Sequence, residues 1–138
     1  MNTLKTLLTH EIQQANLFKL LTHPVRIAIL QILRHGEACV CHIEATLGYR
    51  QAYLSQQLAI LRSGGIITDR RDGWNIYYQI EDQRILELID IVGRMLPVEK
   101  SHIPAQPVAC PCPNCITIAK KCSCSETKKE EGECTCKL

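Results

Sequence analysis

Apolar residues recur at helical spacing through most of the first hundred positions, and the period changes once. Leu4, Leu7, Leu8, Ile12, Ala15 and Leu20 recur at helical spacing, which predicts a first helix. Thr22-His23-Pro24 interrupts it, with Pro24 suited to the first turn of a second helix. That helix carries Val25, Ile27, Ala28, Ile29, Ile32 and Leu33, and Gly36 stops it. A short third helix is expected from about Cys39 to Leu47, ended by Gly48. A fourth follows from about Arg50 to Ser63, with Leu54, Leu58 and Leu61 as its buried stripe and Gly64-Gly65 as its terminator. The pattern then turns extended. Ile66–Arg70 and Ile76–Ile80 are rich in Ile and Tyr, and Asp72-Gly73 between them is a hairpin signal. A last helix, about Asp82 to Leu96, presents Ile85, Leu88, Ile89, Val92 and Met95 on one face, widened by Leu86, Ile91 and Leu96. This face is broader than one small core requires, which points to a dimer interface.

The expected fold is therefore mainly α with a small β-hairpin, in the order ααααββα. Two short helices joined through a glycine turn and followed by a hairpin make a winged helix-turn-helix. Composition sets limits on this picture. The chain has 138 residues, enough for one small domain, and with 4% aromatic residues its core must be aliphatic. Its net charge of +2 does not by itself announce a nucleic acid, so any basic footprint must be local. No apolar run approaches the roughly 20 residues of a membrane span, and Met1–Gln14 lacks a signal-peptide pattern, so a cytoplasmic location without a membrane partner is expected.

The local footprint lies between Ala45 and Arg71, where four arginines meet a single acid, Asp69. Arg50, Arg62, Arg70 and Arg71 suit phosphates, whereas Gln51, Tyr53, Ser55, Gln56 and Gln57 on the fourth helix suit base edges. The expected partner is double-stranded DNA. A generic α+β domain with no nucleic-acid partner is the plainer alternative.

Nine cysteines divide the chain unevenly. Residues 1–96 hold only Cys39 and Cys41, while residues 97–138 hold the other seven together with five of the six prolines. We expect a folded domain over 1–96 and a flexible Cys/Pro-rich tail over 97–138, since the tail's Lys/Glu clusters and lack of periodicity cannot build a core. In a reducing compartment such cysteines bind metal or do thiol chemistry more often than they form disulfides.

Several ordered motifs carry a family resemblance. His23-Pro24-Val25-Arg26-Ile27-Ala28-Ile29-Leu30 resembles the second-helix signature of the ArsR/SmtB metal-sensing repressors. Leu54-Ser55-Gln56-Gln57-Leu58 through Ile67 is similar to their recognition helix, and Asp69–Gly73 with Tyr77-Tyr78 to their wing. Glu37-Ala38-Cys39-Val40-Cys41 is similar to the third-helix metal motif of the family's arsenite and cadmium sensors. The match covers residues 10–96; Gln57 stands where the family often has His. The resemblance implies a homodimer through the first and last helices, an inverted-repeat operator, and release of DNA when a metal binds.

Two residues apart on a regular helix, side chains point about 200° apart, so Cys39 and Cys41 can share an ion only where the first turn opens. The helix N-terminus favours thiolate there. Arsenite takes three sulfurs, and cadmium, lead or zinc three or four ligands. The arsenite-sensor pattern has a third cysteine where this chain has Glu44. His42 and His10 are weak candidates. The tail's Cys110, Cys112 and Cys115 are the expected source of the missing sulfur, within one chain or across a dimer. Cys122-Ser-Cys124 and Cys134-Thr-Cys136 resemble metallothionein chelating pairs. The family's last-helix zinc site is not expected, because Asp82 is followed by Arg84, Met95 and Val98 at the positions that would have to ligate.

Three functions stay open at this point: a repressor released by As(III), Cd(II) or Pb(II), with Zn(II) also admitted; a thiol redox or persulfide sensor on the same fold; and a cysteine-rich metal buffer. A Cys-x-Cys disulfide would be strained, which counts against the second. No phosphate loop or nucleophile–base pair suggests an enzyme.

Overall fold

The computed structural model describes residues 7–97 together with Ile103, Cys110 and Pro113. Its elements are α1 (Thr9–Leu21), α2 (Pro24–Leu33), β1 (Ala38–Cys39), α3 (Val40–Leu47), α4 (Gln51–Ser63), β2 (Ile67–Asp72), β3 (Asn75–Ile80) and α5 (Arg84–Met95). The predicted helices and hairpin are present. One element was not expected: a two-residue strand, β1, which pairs antiparallel with β3 to make a sheet of order β1-β3-β2. Cys39, expected to begin the third helix, instead ends this strand and caps α3.

The core forms where the stripes of α2, α3 and α4 meet the hairpin. Ile29, Leu30, Ile43, Leu54, Leu58, Leu61 and Ile67 are fully buried there, and Ile85 and Leu86 of α5 close one side. By contrast, α1 buries none of its residues, and Leu8, Ile12 and Phe18 stay exposed. Only the end of α1 packs on the core, through the half-buried Leu20 and Leu21. Ile91, Val92, Met95 and Leu96 of α5 are likewise exposed.

Gly48 sets the turn between α3 and α4. It sits in the left-handed region (φ 73°), and its N–H closes α3 on the Glu44 carbonyl at 2.8 Å. A Cβ at this position would meet no neighbour, so alanine there would cost backbone strain alone. Gly48→Ala is expected to lower stability by about 1 kcal/mol, read as a lower urea midpoint with an unchanged slope. An unchanged midpoint would contradict this account of the turn.

Beyond α5 the chain returns to the domain at two described points. Ile103 packs against the main core, and Cys110 against the smaller cluster of Cys39 and Tyr77. Cys112, Cys115, Cys122, Cys124, Cys134 and Cys136 lie outside the described residues.

Candidate metal centre and nucleic-acid interface

The sulfur site begins with local backbone. Cys39 is extended (φ −82°, ψ 164°) because it pairs with Tyr77 across the sheet, and α3 starts at the next residue. This change of conformation between Cys39 and Cys41 removes the divergence that a continuous helix would impose. The Cys39 Sγ accepts the His42 N–H at 3.3 Å, as an N-cap, where the helix dipole favours a thiolate. The two sulfurs are close enough that Cys39 and Cys41 are joined as a disulfide in this structure. The strand–helix junction, not a continuous helix, brings sulfurs at this spacing together.

Cys110 supplies a third sulfur from 69 residues away. Its Sγ lies 3.5 Å from that of Cys41 and 4.0 Å from that of Cys39. All three sulfurs fall within 4.8 Å of one another, in one chain. Among the described residues these three make up the cluster; His10 and His42 do not belong to it. Burial holds the His42 imidazole below its usual pKa range. The Asp82 carboxylate, at the head of the last helix, is committed elsewhere. It accepts the Arg84 N–H and guanidinium, which pulls its pKa to about 2.

The cluster touches the wing. Buried Tyr77 on β3 clusters with Cys39, Cys41 and Cys110, and the Arg70 guanidinium lies over its ring, 5.1 Å from the centroid. Arg70 donates to Glu37, just ahead of β1, at 2.7 and 3.3 Å, and to Asp72 at 3.5 Å.

On α4, Gln51, Ser55 and Gln56 are exposed on one face, with Arg50 exposed at the N-cap. Gln57 must be corrected. It is buried, and its Oε1 accepts from Arg26 Nε at 2.8 Å, while Arg26 also donates to the Lys19 and Leu20 carbonyls at the end of α1. Gln57 therefore braces α4 from within and presents no edge to a base. Tyr53 is half-buried with its hydroxyl 3.3 Å from His23 Nε2. Arg62 pairs with Asp69 at 3.3 Å at the surface, and Arg71 is exposed on β2. One residue escaped the sequence reading. Trp74 stands fully exposed at the hairpin tip. The chain's single tryptophan directly after Asp72-Gly73 was the available signal, since turn positions seldom carry a large apolar ring.

Comparison with known proteins gives this geometry a context. Residues 23–69 match the family described as "Bacterial regulatory protein, arsR family". The chain is 40% identical over 76 residues to a biofilm growth-associated repressor of Xylella fastidiosa, covering 55% of this chain and 67% of that protein. Its fold is similar to the crystal structure of the transcriptional repressor BigR from Xylella fastidiosa (TM-score 0.61, 32% identity, 70% of this chain and 99% of that one). It is also similar to a homodimeric winged helix-turn-helix DNA-binding domain from Mycobacterium bovis (TM-score 0.60, 30% identity, 74% of this chain and 94% of that one). With its helices and wing in the matching order and relatives of this identity over most of their length, the chain belongs to the arsR family of bacterial regulatory proteins.

Proposed function

We propose that this protein is a transcriptional repressor that grips operator DNA as a homodimer and releases it when a thiophilic ion binds Cys39, Cys41 and Cys110. The observation that carries it is the convergence of the three sulfurs. A thiolate–ion distance of about 2.3 Å places neighbouring sulfurs of a three-coordinate ion about 3.5–4 Å apart. The two distances to Cys110 are 3.5 and 4.0 Å. Sulfur alone selects soft ions, so As(III), Cd(II) and Pb(II) are the inducers of choice, and Zn(II) can occupy the same thiolates. The disulfide must first be reduced by a cellular thiol. Arsenous acid then loses three hydroxides as water, each taking one thiol proton, as three arsenic–sulfur bonds form.

On the DNA side, Gln51, Ser55 and Gln56 read bases, Arg50, Arg62, Arg70 and Arg71 meet phosphates, and α1 with α5 joins the two copies. Two half-sites related by the dimer axis fit an inverted repeat. Trp74 extends the wing against the sugar edge. Trp74→Ala is expected to weaken operator binding about fivefold, near 1 kcal/mol, and the fluorescence of this single tryptophan should change when operator is added. Unchanged affinity and emission would remove it from the interface.

The direct test is fluorescence anisotropy of the reduced protein on its upstream promoter, with arsenite or cadmium added. Release at one ion per protomer supports the proposal, and absence of specific binding overturns it in favour of a metal buffer. One observation favours a second reading: the Cys39–Cys41 disulfide could itself be the signal of a redox sensor. Release by mild oxidant without metal, and none by arsenite, would select it.

A further inference from the structure

We infer that Glu37 and Tyr77 form a clasp that withdraws Arg70 from DNA when the sulfur cluster closes, so that the wing is an output of the metal site. This rests on the function proposed above. Glu37, Ala38, Cys39, Val40 and Cys41 are one short segment, and its strand residues Ala38 and Cys39 pair with Tyr78 and Tyr77 of the wing. Tyr77, the cross-strand partner of Cys39, shares one buried cluster with Cys39, Cys41 and Cys110. Its ring face carries the Arg70 guanidinium at 5.1 Å. Arg70 is then held through two nitrogens by the Glu37 carboxylate, at 2.7 and 3.3 Å. In this structure, with Cys39 and Cys41 joined and Cys110 beside them, Arg70 is held by Glu37.

A guanidinium fork engaged by a carboxylate is not available to a phosphate in the same geometry. The two acceptors therefore compete for Arg70. Closing three sulfurs around an ion holds Glu37 and Tyr77 in the clasped arrangement. Opening them lets the 37–41 segment shift against β3, and Arg70 turns to the DNA backbone. The sign agrees with metal-induced release, and the coupling asked of it lies within the usual 5- to 150-fold.

The test compares wild type, Glu37→Gln, Tyr77→Leu and Tyr77→Phe, reduced, on one operator duplex with cadmium as the probe. Sulfur-to-metal absorption counts the bound ion independently of DNA. Wild type should lose affinity by a factor in that range, and its log–log salt slope should fall by about 0.9 per protomer, one phosphate contact each. Glu37→Gln and Tyr77→Leu should bind one cadmium per protomer yet lose less than about twofold in affinity, with no change of slope. Tyr77→Phe keeps the ring and should behave as wild type. Tyr77 is buried, so Glu37→Gln, at the surface, decides the matter if Tyr77→Leu fails to fold. Full release of cadmium-loaded Glu37→Gln overturns the clasp while leaving the metal-responsive function standing. A wild type that binds no cadmium overturns both.

Discussion

Cys110→Ser is expected to yield a repressor that still binds its operator but no longer releases it at arsenite or cadmium concentrations that empty the wild-type complex. A structural thiolate site holds its ion with roughly 10–16 kcal/mol over four ligands, so one sulfur stands for about 3 kcal/mol, more than a hundredfold in ion affinity. The remaining pair, Cys39 and Cys41, cannot enclose a three-coordinate ion. Ending the chain at Pro97 removes Cys110 as well and should give the same loss. The measurement is a titration of ion against sulfur-to-metal absorption, repeated with labelled operator. Wild-type ion affinity in Cys110→Ser would show that the third ligand comes from elsewhere. Cys39→Ser and Cys41→Ser should match Cys110→Ser in losing release.

Met95→Glu should separate the dimer and, with it, abolish tight operator binding. Met95 is 78% exposed in the single chain, so the substitution leaves the monomer's core untouched. It lies at the same end of α5 as exposed Ile91, Val92 and the C-cap Leu96, while α1 offers Ile12 and Phe18, with Leu8 at its N-cap. Across a two-fold axis each glutamate is brought toward an apolar face and toward its own copy, and burying an unpaired carboxylate is costly. Once the copies part, each half-site is held alone, and avidity of about 10²–10⁴ is lost. Sedimentation should report a monomer at micromolar concentration, with helical circular dichroism retained, and operator affinity should fall at least about a hundredfold. A dimer with unchanged affinity would place the interface on another surface.

How much of this was legible in advance differs by residue. The five helices and the hairpin were readable because their signals are local: apolar period, Pro24 at a helix start, Gly48 and Gly64-Gly65 at helix ends, Asp72-Gly73 at the turn. The exposed face of Gln51, Ser55 and Gln56 followed from the same period. The period also puts Gln57 on the buried stripe of Leu54, Leu58 and Leu61; what it does not supply is the partner, Arg26, 31 residues away, that makes a buried amide tolerable there. Arg70 was legible as a cation, but not as one already held by Glu37 from 33 residues away.

By itself the sequence determined the order of elements, the winged helix-turn-helix, and the chemistry on offer: soft sulfur ligands near one helix start and a cationic wing. The tertiary structure alone decided the rest. β1 exists only because β3 lies beside it; two residues carry no period of their own. Cys110, the tail cysteine among the described residues, lies within reach of Cys39 and Cys41 only once the chain has folded back. The physical reason is range. Periodicity and caps act over a few residues along the chain, whereas a hydrogen bond, an ion pair or a three-sulfur site joins groups that folding brings together across tens of residues.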